Sequence, residues 1–426
     1  MTLRNYFILC AVLLVAAVSA QSQVKVSTQP QVKVSAQPQV KVSGYLQAQY
    51  QHGQQDATLG VGTANERSGA SLENPESSLE DSRASFERFG IRRGRVKFTA
   101  TEGIASGVMQ LDFTEKQVGL KDAYFNLRDP WQGVAQLRAG VFDRPFGHEI
   151  GYSSSQRESP ERSTVFRTLF PQERDMGAML TLQAPKSSAW HALKLEAGLF
   201  AGNGIQQETD SRKDFIGHLS AAGQVTPLLH LSGGVSHYSG SVYQGTEQVY
   251  RMSGRAFELD AQPTHKGGYA RRRYTGFDAQ ATLRTVFGRT QLRTEYLFGQ
   301  QPATATSSKS PNASSLPTTD TYLRTFNGAY AIVTQDIGRL PLAAVLKYDY
   351  YDPNTKVSGA DIGVGGTSQA DVAVHTFGAG ALWQVTSAVR LQAYYEINRN
   401  EKAAQLAAWQ SDRKDNVFTL RLQYKF

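Results

Sequence analysis

After residue 20 the chain contains no cysteine; the one cysteine, Cys10, lies in the apolar segment before it. That excludes disulfides, thiolate metal sites and cysteine nucleophiles from the rest of the molecule. No later apolar run reaches the roughly 20 residues that a transmembrane helix needs. A strong charge of one sign is missing too. The formal +8 loses Arg4 to the N-terminal segment and Lys25, Lys33 and Lys41 to a repetitive stretch, leaving about +4 on the remainder. So weak a basic excess gives no reason to expect a nucleic-acid partner. The eight histidines include no two at a tight metal-ligand spacing. His148 and Ser153 to Ser155 share one segment, but no nucleophile elbow surrounds them. No catalytic residue, metal site or cofactor is therefore expected.

What is present begins with an export signal. Arg4 supplies a positive start, Ile8 to Val18 is apolar, and Val18-Ser19-Ala20 has the small residues of a cleavage site. Cleavage near Ala20 is expected, with 1–20 as the signal peptide. Residues 21–43 carry QVKVSTQP, QVKVSAQP and QVKVS in succession, a period of eight broken by Pro30 and Pro38. This reads as a mildly basic periplasmic tail. Two roles stay open for it: a spacer, or contact with an anionic polymer or partner.

Residues 44–426 show strand after strand of apolar and polar alternation. By count there are about sixteen such segments, from Gly44–Gln51 to Asn416–Phe426. Val249 to Leu259 reads as an extra strand within a loop. Mean hydropathy is only −0.39, which a barrel with an aqueous interior permits, because only alternate residues need be apolar. Connections after even strands are short, such as Gly288-Arg289 and Ser387-Ala388. Those after odd strands include the long ones: His52 to Phe89, Asp143 to Arg174, Gly240 to Arg271, Gln300 to Tyr322, Asp352 to Ala373 and Arg399 to Asp415. This parity matches the short periplasmic turns and long extracellular loops of an outer-membrane barrel. The last strand carries Phe418, Leu420, Leu422, Tyr424 and Phe426 on one face. Such an ending resembles the signature by which barrel-assembly machinery recognises its clients.

The fold class expected is all-β: a transmembrane antiparallel barrel of about sixteen strands in outer-membrane lipid, with long extracellular loops, the third of all (Asp143 to Arg174) folded into the lumen. If the apolar parity faces lipid, Arg93, Arg95, Lys97 and Arg138 face inward as a basic patch on neighbouring early strands. About eleven basic and seven acidic side chains share that inward parity. The third loop holds Arg144, Arg157, Arg162, Arg167 and Arg174, together with six acids. Internal salt bridges that fix the loop are the expectation, with Phe142, Phe146, Phe166, Phe170 and Pro171 as anchors.

Three segments carry a family likeness: GVFDRPFGHE (Gly140 to Glu149), YSSSQRESPERS (Tyr152 to Ser163) and LFPQERDMG (Leu169 to Gly177). With RFGIRRGRVKFTATEG (Arg88 to Gly103) and LKDAYFNL (Leu120 to Leu127), the chain resembles the phosphate-selective porin O and P family, especially its Bacteroidetes-type branch. The resemblance implies a sixteen-stranded outer-membrane porin, often a homotrimer, passing small anions such as phosphate or polyphosphate. The reading from both routes is passive diffusion of small hydrophilic solutes with a weak anion preference. The alternative is a non-conducting barrel acting in adhesion or ligand binding through its external loops.

Overall fold

The computed structural model describes residues 39–59, 85–115, 117–311 and 315–426. The expected signal peptide and the tail up to Pro38 lie outside them. The strands are β1 (Gln39–Gly53), β2 (Phe86–Glu102), β3 (Ala105–Phe113), β4 (Val118–Arg128), β5 (Ala135–Asp143) and β6 (Arg174–Gln183). β7 (Leu193–Phe200), β8 (Asp214–Thr226) and β9 (Leu229–Tyr243) follow, then β10 (Gln248–Ser253) and β11 (Ala256–Ala261). The rest are β12 (Tyr269–Thr285), β13 (Gly288–Ala303), β14 (Thr321–Asp336), β15 (Leu342–Asp352), β16 (Val374–Gln384), β17 (Val389–Asn400) and β18 (Val417–Lys425).

All eighteen belong to one sheet. β10 and β11 are a hairpin within the β9–β12 connection, and β10 runs parallel to β14 over three residues. The other sixteen form the barrel, each antiparallel to the next, with β1 pairing both β2 and β18 to close it. Closure leaves no strand edge without a partner around the wall, which is what a sheet in lipid requires. The expected loop strand at Val249 to Leu259 is thus a two-stranded hairpin.

One boundary moves. β1 starts at Gln39, so the third QVKVS copy is strand and pairs with β2 from Gln39↔Thr101 to Ser43↔Lys97. This copy is strand, with β2 supplying its hydrogen bonds.

Alternation explains the wall. In β18, Leu420, Leu422 and Tyr424 are exposed while Thr419, Arg421 and Gln423 are buried. Leu199, Leu219, Leu346, Phe377 and Phe125 are likewise at least half exposed on the outside of other strands. An apolar surface that continuous belongs in lipid.

Besides a register shift beside the β8–β9 turn, between Gln224 and Thr226, two bulges break the alternation. One lies where Gln47 pairs with Arg93 and Ala48 with Ile91, leaving Arg92 extra. The other lies where Gln110 pairs with Asp122 and Leu111 with Leu120, leaving Lys121 extra. A bulged residue turns out of the pleat, and both of these basic side chains go inward.

The closing seam is tight. Gly44 and Phe426 exchange both backbone hydrogen bonds, each 3.0 Å. A Cβ on Gly44 would stand 2.3 Å from the Arg95 carbonyl oxygen and 2.5 Å from the Phe426 ring. Gly44→Val is therefore expected to oppose closure, by about 1–3 kcal/mol of overpacking. The folded, heat-modifiable band on detergent gels should shrink; a full-strength band would refute the point.

Candidate functional site

The segment 144–173, between β5 and β6, is the long loop singled out in the sequence. It lies against inward-facing side chains all round the wall. Tyr45 Oη and Ser154 Oγ are 2.6 Å apart. The backbone N–H of Gly147 donates to Ser236 Oγ on β9 (2.8 Å). Those of His148 and Glu149 donate to the Glu295 carboxylate on β13 (2.9 and 2.6 Å). Gln392 on β17 donates to the Glu158 carbonyl, and Arg421 on β18 donates to that of Pro160 (2.8 Å). A loop tied to so many strands crosses the barrel interior.

Its one helix, α1 (Thr164–Leu169), begins at a wall carboxylate. The Thr164 N–H donates to both oxygens of Asp349 (3.1 and 3.0 Å), while Ser163 makes no side-chain cap of its own. A negative group there satisfies an orphan donor and suits the helix end. Val165, Phe166 and Leu169 form its buried face. They pack with Phe142, Phe146, Ile150 and Phe170 against Tyr238, Tyr274, Phe326 and Tyr330 of the wall. Each buried Phe contributes about 1.5–3 kcal/mol, so the aromatic residues expected as anchors do seat the loop.

The ion pairs only half match the expected internal set. Arg144–Asp175 (3.0 Å), Arg162–Glu173 and Arg174–Asp143 (2.6 Å) lie within the segment and its flanks. The others cross to the wall. Glu161 takes Arg92 (2.7 Å), Arg93 (2.8 Å) and Arg421 (3.2 Å). Glu173 takes Lys121 (2.5 Å) and Arg174 (3.2 Å) besides Arg162. Glu158 pairs with Arg293, and Arg174 also reaches Asp122 (2.9 Å). Two loop carboxylates thus hold six basic groups, leaving a local positive excess.

Burial alone would push the Glu161 carboxyl up, but Arg92, Arg93 and Arg421 hold it well below the usual carboxylate range. Glu173 is depressed in the same way, against burial, by Arg162, Lys121 and Arg174. A depressed acid contributes its stability above its unfolded pKa and loses it only as pH falls through the folded value. The Glu161 ties, made to three arginines, should therefore hold across about pH 5 to 8. Reversal potential in a salt gradient is expected to stay flat over that window; a change between pH 7 and 5 would show that other groups control the path.

Three cavities adjoin the loop. One of about 570 Å³ lies toward the long-loop end, lined by Arg92, Arg93, Arg95, Lys121, Arg162, Arg167 and Lys309 with Asp112, Glu161 and Glu173. One of about 780 Å³ lies toward the short turns, where Arg289, Arg293, Arg339, Arg390 and Lys425 face Glu158 and Asp336. Between them, against β2 to β5, is a chamber of about 170 Å³. Its charged lining is Arg95, Lys97, Arg138, Arg162 and Arg174 against Asp122 and Asp143. Arg95 and Arg162 line the chamber and the long-loop cavity alike, and Tyr152 lines the chamber and the short-turn cavity.

The residues named from sequence separate accordingly. Arg95, Lys97 and Arg138 meet in the chamber. Arg93 is buried beside Gln47 and Glu161 and lines only the long-loop cavity. Of the loop arginines, Arg162 and Arg174 reach the chamber and Arg167 the long-loop cavity. Arg144 is sealed in its pair with Asp175. Arg157 is buried, and its guanidinium has no hydrogen-bond partner among the described residues. Neither lines these cavities. Sequence reasoning missed Arg92, Lys121 and Lys309. For the first two a signal existed: strict alternation would have pointed a cation into lipid.

The family model for phosphate-selective porin O and P matches residues 82–426. The chain belongs to that family. Comparison with curated protein sequences finds no match. Among solved structures, the porin is similar to the outer-membrane channel DcaP of Acinetobacter baumannii, at 12% identity and TM-score 0.53, over 91% of this chain and 97% of that one. OprB of Pseudomonas putida gives 8% and 0.52, over 91% and 94%. OmpT of Vibrio cholerae, in its trimer form, gives 9% and 0.50, over 91% and 99%. At such identities these likenesses bear on the fold. Family and barrel together make this porin an outer-membrane channel for passive diffusion.

Proposed function

We propose that the protein passes small hydrophilic solutes with a weak preference for anions, phosphate among them. The long loops face outward and the short turns face the periplasm. The observation that carries this reading is the linked series of three cavities, each with more cations than carboxylates. A chamber of about 170 Å³ favours small ions over oligosaccharides. Most of its charges are paired, so the field is modest and so is the selectivity. Assembly as a homotrimer belongs to this reading and is checked by mass measurement in detergent.

The deciding experiment is reconstitution in planar bilayers. Stable open steps and a reversal potential on the anion side in a salt gradient are expected, with chloride and phosphate both permeant. An ordered cap speaks for the non-conducting alternative. The β10–β11 hairpin meets Val357, Ile362, Val372 and Ala403 of the neighbouring loops through Met252, and Arg324 pairs with Asp371 beneath it (2.8 Å). Absence of any open step would favour that alternative.

A further inference from the structure

Three consecutive arginines, Arg271, Arg272 and Arg273, stand near the long-loop end of β12. Alternation sends the middle one inward. Arg272 is buried, pairs with Asp214 and donates to the Gly202 carbonyl (2.7 Å) and to Ser310 Oγ (2.8 Å). The other two are exposed on the parity that carries Phe277 lower on the strand. Among the described residues neither guanidinium makes a hydrogen bond or an ion pair. Their lateral neighbours are uncharged: Ser241 opposite Arg271, and Ser239 and Gln300 on either side of Arg273. Two registers further down, Phe277 pairs between Val235 and Tyr296, both exposed, and the apolar belt has begun.

Cations on the lipid face are costly in the hydrocarbon, and the cost fades only at the interface. Two free guanidinium groups at the upper rim of the belt therefore lie at headgroup depth. Alternate residues on a strand are about 6.7 Å apart, so both can reach one phosphorylated headgroup. The planar fork of arginine matches a phosphate group. We propose that Arg271 and Arg273 form a binding site for the phosphate of a glycolipid in the outer leaflet. This rests on the outward orientation of the long loops.

The test uses the full-length porin, delipidated in detergent, with bisphosphorylated lipid A as the probe and native mass spectrometry as the readout. Wild type is expected to retain lipid A, and the double variant Arg271→Gln, Arg273→Gln to bind it at least tenfold more weakly. Equal retention by the variant would overturn the site. So would equal binding of dephosphorylated lipid A, which would show that acyl chains alone are read. Displacement of lipid A by an equal concentration of inorganic phosphate would overturn it in favour of a free-ion site. Neither arginine lines the cavities, so the variant should keep wild-type conductance and heat-modifiable migration, which also controls for folding. If wild type itself gives no channel, the functional reading has failed; normal conductance with unchanged lipid binding sinks this inference alone.

Discussion

The double variant Lys97→Glu, Arg138→Glu is expected to turn the channel from anion-preferring to cation-preferring. In the chamber five cations face two carboxylates. The two substitutions leave three cations facing two native and two introduced carboxylates, so the sign of the field inverts. Both positions can be changed without releasing a loop tie. Lys97 has no polar partner among the described residues. Arg138 donates to Asn126 (2.9 Å) and lies over the rings of Tyr124 and Phe142, but it holds no carboxylate. Arg93 and Arg95 would be poorer choices. Reversing Arg93 attacks the Glu161 cluster, and Arg95 is bound to Asp112 (3.1 Å) and Ser154 (3.1 Å). In a narrow, weakly screened chamber a roughly tenfold change in the anion-to-cation ratio corresponds to about 1.4 kcal/mol of differential barrier. The reversal potential should change sign at constant conductance order. An unchanged value would mean that solutes take a route that avoids the β2 to β5 wall.

The wall of this barrel was legible because lipid enforces a period of two. The closing segment Asn416–Phe426 is β18 to within one residue at each end, whereas at the loop ends Phe86, Tyr243, Tyr269 and Ala303 are strand although they fall in the connections His52 to Phe89, Gly240 to Arg271 and Gln300 to Tyr322. There the strands run on past the lipid, where polar residues no longer alternate with apolar ones. Arg92 and Lys121 were lost for a related reason: alternation fixes a face only while the register holds, and each sits at a bulge. The chamber was partly legible, since Arg95, Lys97 and Arg138 share the inward parity of adjacent strands. What no periodicity can give is which wall side chain a thirty-residue loop chooses. Glu161 and Arg421 are 260 residues apart, and their meeting is decided by how the loop crosses the lumen. The same holds for Arg157 and Arg144, which look equivalent to Arg162 in sequence and are buried away from every cavity described.

Gly328→Leu is expected to unseat the loop and raise conductance several-fold. Gly328 lies on β14 opposite α1, and a Cβ there would stand 2.7 Å from a Val165 methyl and 3.1 Å from the Tyr350 carbonyl oxygen. The barrel wall cannot yield, because β14 is held by full ladders to β13 and β15. The helix must yield instead. Overpacking a close contact costs about 1–3 kcal/mol, and displacement of α1 also draws the Thr164 N–H away from Asp349. A buried donor then loses its charged acceptor, a further loss of about 1.5–3 kcal/mol. Together these rival the gain from burying one or two of the loop's aromatic side chains. α1 lines the long-loop cavity through Phe166 and Arg167, and the loop it seats lines the 170 Å³ chamber through Ile150 to Ser154 and Arg162, so unseating the loop widens both. Single-channel steps should grow and become noisy, and protease should cut within 144–173. The heat-modifiable band should remain, since the wall's own hydrogen bonds are untouched. Unchanged conductance with an intact barrel would show that this loop does not set the narrowest point.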